Sequence, residues 1–259
     1  MADNYESFKV QIYGLTKINL DAYKERQMKR RIDALISKHK ITSYNAYVEV
    51  IKKNPVMFEE FVNYLTINVS EFYRNPEQLA LLEKEVLPYL FNKFGNNLKI
   101  WSAACSTGDE PYSLVMLLSK FMPLNKIKVV ATDIDKQILE KARLGLYNVK
   151  SLKALPDEFV KKYFNKINDT TYQISDSIKA CVDFKQHNLL KDEYPRDCHL
   201  IVCRNVLIYF TEEAKLDIYK KFNQSLKTDG ILFVGSTEQI IQPQNLGFAT
   251  YKSFYYRKM

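Results

Sequence analysis

Beyond residue 95 the chain repeats one pattern: a short apolar run, a turn of small or polar residues, then apolar side chains at helical spacing. Leu98–Ala103 (LKIWSA) reads as a strand, and Asp109–Phe121 follows with Leu114, Leu117, Leu118 and Phe121 on one helical face. Ile127–Thr132 and a helix over Asp135–Leu146 repeat the unit. Phe184–Asn188 marks the end of a third strand, His199–Cys203 is a fourth before a helix over Thr211–Leu226, and Ile231–Gly235 is a fifth. Strands alternating with helices predict right-handed crossovers and a mainly parallel sheet, an α/β architecture. Ser253–Arg257 (SFYYR) reads as an antiparallel edge strand.

Residues 1–75 carry a different signal. Met28, Ile32, Leu35 and Ile36 share one helical face, and Phe58, Phe61, Val62 and Leu65 mark another helix after the Asn54-Pro55 breaker. The chain thus divides into an all-α domain over 1–75 and an α/β domain over 76–259. Tyr147–Val182 is far longer than an ordinary connection. It is expected to form an inserted β-subdomain at about 147–182, with a helix over Pro156–Phe164 and a hairpin of Tyr172–Ile174 with Ile178–Val182. Insertions of this kind usually recognise something.

Composition sets bounds on the setting. With 259 residues, 46% of them hydrophobic, the chain can bury one full core and a small second one. A formal charge of +8 favours acidic partners without choosing among nucleic acid, membrane surface and acidic protein. The cysteines form no C-x-x-C pair, and Cys105, Cys181 and Cys203 sit in apolar or small-residue runs, as suits a reducing compartment. The start, MADNYESFKV, has no leader pattern, and no uncharged apolar run nears the roughly 18 residues of a membrane span. A cytoplasmic protein without membrane insertion is expected.

The chemistry gathers at the predicted strand ends. The first strand runs into Ser102-Ala103-Ala104-Cys105-Ser106-Thr107-Gly108-Asp109-Glu110. Small side chains there let a ligand approach the backbone, at the sheet end where open α/β folds bind ligands. The same stretch also suits a plain strand-to-helix turn with Asp109 as its N-terminal charge. The second strand ends at Asp133, placed to accept hydrogen bonds from ribose hydroxyls, with Asp135 as the cap of the next helix. Neither G-x-G-x-x-G nor G-x-x-x-x-G-K-[ST] occurs, so no phosphate cradle is present. Adenosine without phosphate fits better, and S-adenosylmethionine (SAM) is the common cofactor of that kind. Asn188 could read an adenine edge or simply close a turn. Arg204 and Asn205, at the mouth of the fourth strand, need a ligand or a salt bridge if buried. His39, His187 and His199 show no metal-ligand spacing, and no metal is expected.

With these segments in view, the chain resembles the chemotaxis receptor methyltransferases, the CheR family. The resemblance lies in Asn68-Val69-Ser70-Glu71-Phe72-Tyr73-Arg74, Ser102–Ser113 (SAACSTGDEPYS), Ala131–Asp135 (ATDID), Asn188–Leu190 and Cys203–Phe210 (CRNVLIYF). They run in order over nearly the full chain. The resemblance implies a Rossmann-like SAM methyltransferase sheet, an N-terminal all-α receptor-binding domain, and SAM-dependent methyl esterification of glutamate side chains on chemoreceptors, with S-adenosylhomocysteine (SAH) as product.

The resemblance also implies that Asn68, Ser70, Arg74, Glu110, Asp133, Asn188, Leu189, Asn205 and Val206 contact the cofactor. Asp133 would take the ribose, Asn188 and Leu189 would flank the adenine, and Glu110 and Asn205 would face the methionine end. Arg74 and Tyr209 would stand beside the transferring methyl as the catalytic pair. Ser70 replaces a frequent Thr and keeps the hydroxyl; Asp109 stands where Glu is common. The basic residues Arg26, Arg30, Arg31 and Lys38, off the Met28/Ile32/Leu35 stripe, are expected to face the acidic receptor helices. Family members that bind a receptor's C-terminal tether peptide tend to carry a glycine-rich loop in the insertion. This chain has no glycine between Gly145 and Gly230, so no tether binding is expected.

Two other readings compete with this one. A nucleic-acid methyltransferase would suit the charge, but no N-P-P-Y-like run and no Pro-Cys occurs. A non-catalytic SAM-binding sensor is the other, set against the presence of both Arg74 and Tyr209.

Overall fold

The computed structural model describes residues 4–259. The first three residues of the stretch read above for a leader lie outside it. The chain forms two compact units: one of residues up to Asn68 with Val206–Asp217, the other Val69–Asn205 with Ile218–Met259.

The smaller unit is built on four helices: α1 (Tyr5–Thr16), α2 (Glu25–Lys38), α3 (Tyr44–Lys53) and α4 (Pro55–Thr66). Their starts follow from local chemistry. The side chains of Asn4, Ser43 and Asn54 accept from backbone N–H groups of α1, α3 and α4, and Pro55 takes the first position of α4, where its missing N–H costs nothing. The core is aromatic: Phe8 packs on Tyr44 at 4.8 Å and meets Phe61 edge-on at 6.2 Å, with Tyr47 against Phe61 at 5.6 Å. Met28, Ile32, Leu35 and Ile36 are buried, as the stripe predicted. Tyr23 and Phe210 form an isolated antiparallel bridge with rings 4.7 Å apart, and the Tyr209 carbonyl accepts from Lys24 N at 2.9 Å.

The basic residues of α2 divide into two kinds. Arg31 is half-buried, donates to the Tyr64 carbonyl at 2.8 Å and lies 4.5 Å over the Tyr64 ring. Lys38 pairs with Glu60 at 2.6 Å, and His39 shares that carboxylate. Arg26 and Arg30 are exposed, and neither enters an ion pair among the described residues.

The larger unit opens with α5 (Pro76–Leu81) and α6 (Leu87–Phe94), joined by a π turn at Leu82–Val86. Pro88 explains the turn, since it lacks the N–H that would bond the Lys84 carbonyl. Its sheet has seven strands: β1 (Ile100–Ala103), β2 (Val129–Asp133), β6 (Val182–Gln186), β7 (Cys198–Cys203), β8 (Leu226–Val234), β9 (Phe248–Lys252) and β10 (Tyr255–Lys258), in the order β6-β2-β1-β7-β8-β10-β9. β6, β2, β1, β7 and β8 run parallel; β10 is antiparallel to both β8 and β9. β1 and β7 are buried at every position, which is why they read as near-continuous apolar runs. Helices α7 (Asp109–Leu118), α8 (Lys136–Leu144) and α11 (Glu212–Ser225) follow β1, β2 and β7. Asp135 caps α8 as expected, accepting from Gln137 N and Ile138 N.

Two sequence expectations are corrected. The SFYYR segment is antiparallel, but it is an inner strand; the edge is β9, reached through a left-handed turn at Gly247 and returned through Phe254 at φ 68°. The expected hairpin of Tyr172–Ile174 with Ile178–Val182 does not form. β5 (Thr171–Ile174) is instead the centre of a separate sheet between β3 (Leu146–Asn148) and β4 (Phe164–Lys166). Ile178 lies in the short helix α10 (Asp176–Lys179), and Val182 opens β6. Ile178 and Cys181, three apart, are both buried, so helical spacing serves the core better than alternation. The helix α9 (Asp157–Tyr163) forms where expected. All four cysteines are buried and unpaired.

Candidate active site

The strand order reverses between β1 and β7. From β1 the chain steps to β2 and β6 on one side; β7 and β8 lie on the other. In open parallel sheets the crevice outside the carboxyl ends at such a reversal is the ligand site.

The turn after β1 is backbone under constraint. Ala104, Ser106 and Gly108 take φ of 60°, 49° and 88°. The left-handed form costs a non-glycine residue about 1–2 kcal/mol, so the surrounding structure must hold this turn in place. A side chain at Gly108 would stand 3.0 Å from Ala142 Cβ and 3.1 Å from Tyr112, so only glycine fits. The arrangement aims Ser106 N at Asp133 Oδ2, 2.8 Å away, while Ser106 Oγ is buried without a partner.

Asp133 ends β2, buried to 6% exposure. Its second oxygen accepts from Asp135 N at 3.0 Å. Burial pushes its carboxyl up to about 6, against the pull of these backbone N–H groups. Its carboxylate can accept from ligand hydroxyls on the remaining lone pairs.

Asn188 follows β6 and uses its side chain locally. Its Oδ1 accepts from Leu190 N at 2.9 Å, and its own N–H donates to Asp192. This is the turn-closing role that the sequence left open. Leu189 is buried, and its carbonyl accepts from Tyr194.

Arg204, after β7, is 8% exposed. One terminal nitrogen donates to the Arg74 carbonyl at 2.7 Å, Asn75 Oδ1 at 2.9 Å and Gln78 Oε1 at 3.2 Å. The other lies 3.7 Å from Glu110 Oε2, and the guanidinium stacks 4.7 Å over Phe233. Glu110 also accepts from Ser102 Oγ at 2.8 Å. Burial raises the Glu110 carboxyl above the usual range, and Arg204 opposes that rise. Arg204 is thus an internal anchor whose terminal nitrogens face acceptors, as expected of a polar residue at a strand mouth, while its Nε is buried without a partner.

The segment from Val69 to Asn75 is held at each step. Ser70 hydrogen-bonds Asp109, which also accepts from Thr107. Phe72 meets the rings of Tyr147 at 4.6 Å and Phe164 at 5.3 Å, its N–H bonds to the Ser151 carbonyl, and Tyr73 N donates to Ser113 Oγ. Arg204 takes the Arg74 carbonyl. What remains loosely held is the Arg74 guanidinium, half-buried, whose bond among the described residues is a 3.4 Å one to the Val69 carbonyl.

Asn205 closes the group, with its Oδ1 buried and unpartnered. Its N–H donates to Glu238, a residue that no motif singled out. The larger unit therefore brings together Ser70, Arg74, Glu110, Asp133, Asn188, Leu189 and Asn205 on its segment ends. Asn68, Val206 and Tyr209 belong to the smaller unit, where Asn68 Nδ2 donates to Thr66 Oγ1.

The fit to an adenosine cofactor rests on the larger unit alone. Two orphaned buried polar oxygens, Ser106 Oγ and Asn205 Oδ1, follow adjacent strands, and a buried carboxylate follows the next. A buried polar atom without a partner costs free energy, so a polar ligand would satisfy them. Among the described residues no cluster of His, Cys, Asp and Glu could hold a metal ion. No helix among them is long and apolar enough to cross a membrane.

Residues 68–255 match the model described as "CheR methyltransferase, SAM binding domain", and residues 3–66 match "CheR methyltransferase, all-alpha domain". A chemotaxis protein methyltransferase of Listeria monocytogenes is 42% identical over 93% of this chain and 92% of its own length. One from Escherichia coli is 32% identical over 88% of this chain and 81% of its own length. A solved TehB-like SAM-dependent methyltransferase from Corynebacterium glutamicum aligns with 80% of this chain and 100% of its own at 14% identity and a TM-score of 0.41. The matched models span both units, and the chain belongs to the CheR methyltransferase family, with SAM as its cofactor.

Proposed function

We propose that the protein methylates glutamate side chains of chemotaxis receptors, forming methyl esters and tuning receptor adaptation. The observation that carries the reading is the group of orphaned Ser106 Oγ, orphaned Asn205 Oδ1 and buried Asp133 at the sheet's reversal, in a chain whose relatives are named chemotaxis protein methyltransferases. Radiolabelled methyl transfer to receptor, released by mild alkali as volatile methanol, tests it. Label that resists alkali would point to nitrogen or carbon methylation and end the glutamate reading.

When bound, SAM supplies an electrophilic methyl group on a sulfonium. The attacking glutamate is already ionised near neutral pH, so the protein needs no strong general base. Its task is to position and to exclude water. Asp133 would hold the ribose by accepting from its hydroxyls, and Ser106 N and Asp135 N hold its two oxygens in place for that role. Asn188 and Leu189 flank the adenine; with the Asn188 oxygen committed to Leu190, its backbone and NH₂ group are what can face a ligand. Glu110 and Asn205 would hold the methionine end of the cofactor, where the Glu110 carboxylate could accept from its ammonium group. Ser70 acts through Asp109 at the start of α7.

Arg74 is assigned to hold the substrate carboxylate. Its planar fork suits a carboxylate, and its backbone is fixed while its guanidinium is nearly uncommitted. Asn68 and Val206 at the cofactor and Tyr209 beside the methyl rest on the family resemblance. Arg74→Ala and Tyr209→Phe are each expected to lower kcat for methyl transfer, the first by about 100-fold, on the scale of losing one charge-assisted contact to the reacting group. Wild-type turnover in Arg74→Ala would remove its assignment.

Receptor contact is assigned to the exposed face of α2. Arg26 and Arg30 lead it; Lys38 is already paired and Arg31 is bound within the unit, so both contribute less. Reversing charge at Arg26 and Arg30 should raise KM for receptor about tenfold at low salt, less at high salt, and leave SAH affinity unchanged. A salt-independent effect would count against an electrostatic contact. No tether peptide is included in this reading, and tight binding of such a peptide in titration would correct it.

A further inference from the structure

Glu238 lies just past the end of β8 and is 5% exposed. Its Oε2 accepts two backbone N–H groups, from Asn205 at 2.6 Å and from Gly235 at 2.9 Å. Those two groups leave the ends of neighbouring parallel strands, since Cys203 of β7 is paired with Val234 of β8. One carboxylate oxygen therefore ties both strand ends. Further, Tyr219 donates its hydroxyl to the Glu238 carbonyl, so the backbone of the residue is held as well.

The consequence falls on Asn205. Its φ is 60°, a left-handed form that Asn tolerates but does not prefer outside a defined setting. The bond from its N–H to Glu238 fixes that form, and thereby the direction in which its side-chain amide leaves the sheet. The amide oxygen is buried and unpartnered. The bond exists only because position 235 lacks a side chain: a Cβ there would stand 2.5 Å from Glu238 Oε2 and 2.9 Å from Asn205 N. Such distances force atoms apart.

We propose that Glu238, with the bare backbone of Gly235, is a positioning residue that sets Asn205 for cofactor binding. It acts through the Asn205 backbone as a hydrogen-bond acceptor. The inference rests on the assignment of Asn205 to the cofactor, and the test separates the two.

The experiment measures SAH affinity by calorimetry on the full chain, with thermal unfolding as the check on folding. Glu238→Ala is expected to weaken SAH binding about 10- to 100-fold, the scale of losing a charge-assisted bond. Glu238→Gln keeps an acceptor oxygen on the same stem and should recover most of that loss. Gly235→Ala keeps the carboxylate but crowds it, and should resemble Glu238→Ala. In kinetics the change should appear in KM for SAM more than in kcat. The Asn205 amide resonance should move in Glu238→Ala and Gly235→Ala and stay near its wild-type position in Glu238→Gln, which a merely structural role for Glu238 would not produce.

Equal weakening in Glu238→Gln and Glu238→Ala would overturn the proposal in favour of a direct role for the charge. Wild-type affinity in Glu238→Ala, with Asn205→Ala weakened, would overturn the proposal alone. Wild-type affinity in Asn205→Ala would remove the cofactor assignment beneath it.

Discussion

An Arg204→Ala protein is expected to lose about 3–5 kcal/mol of unfolding free energy in urea, the range seen when one member of a buried ion pair is removed. Several effects combine. Glu110, whose side chain is 16% exposed, would keep a desolvated carboxylate without its nearest cation. The Arg74 carbonyl, Asn75 Oδ1 and Gln78 Oε1 would lose their shared donor, and Phe233 would lose the guanidinium stacked on it. Against a typical total of about 5–15 kcal/mol, such a loss would leave the domain marginal. Arg204→Lys should recover only part, because an ammonium cannot span acceptors placed for a fork. An unfolding free energy within about 1 kcal/mol of wild type in Arg204→Ala would show that the cluster is held by other means.

The second large effect concerns Asp133 and pH. Its carboxyl, raised by burial to about 6 in the folded chain, ionises near 3.8 when unexposed to that burial. A raised folded value contributes stability that is fully present below the unfolded value and is lost as pH rises through about 6. If Asp133 takes the ribose as proposed, cofactor affinity should run the opposite way, because ribose hydroxyls would donate to the ionised form. SAH should therefore bind about tenfold more tightly at pH 7 than at pH 5, with proton release at the lower pH seen as a buffer-dependent heat. Asp135 is the neighbouring charged group that raises this carboxyl further, and the carboxyl in turn adds to the burial that raises the Cys105 thiol. Asp133→Asn should flatten the dependence and weaken SAH by about 100-fold, since its NH₂ group cannot accept from the ribose or from the backbone N–H beside it. A pH slope that survives in Asp133→Asn would assign it to another group.

Much of this arrangement was legible before the structure. β1, β2, β7 and β8 are buried strands whose apolar runs end in small or polar residues, and the helices after them carry a clear period and, at Asp135, a cap. The need of Arg204 for a partner followed from its place at a buried strand's mouth, although the partners, Arg74 to Gln78, lie some 130 residues away in the chain. Less legible were elements that depend on contacts rather than pattern. FATYK carries no clear apolar/polar alternation, and β9 pairs at the sheet edge with β10. Ile178 and Val182 look like alternate members of a strand, yet one belongs to a helix and the other to the central sheet.

Glu238 was missed for a related reason. In Gly235-Ser236-Thr237-Glu238 the acid looks like an ordinary surface residue. The signal that could have found it is an acid three positions after a glycine at a strand end, where a side chain can turn back onto free backbone N–H groups. Asn188 shows the converse. The motif drew attention to its amide, while the structure gives half of that amide to its own turn.

The strand order also bears on synthesis. The segments that meet at the sheet's reversal are drawn from residues 69–75, 104–110, 133 and 205, and the clamp on Asn205 comes from beyond residue 234. A growing chain lacking β8 would carry every resembling motif and still leave Asn205 unfastened. Parallel pairings close only after long stretches of chain are available. Until Glu238 has been made, a nascent chain can build the strands before it but cannot form the bonds from Asn205 N and Gly235 N that tie β7 to β8.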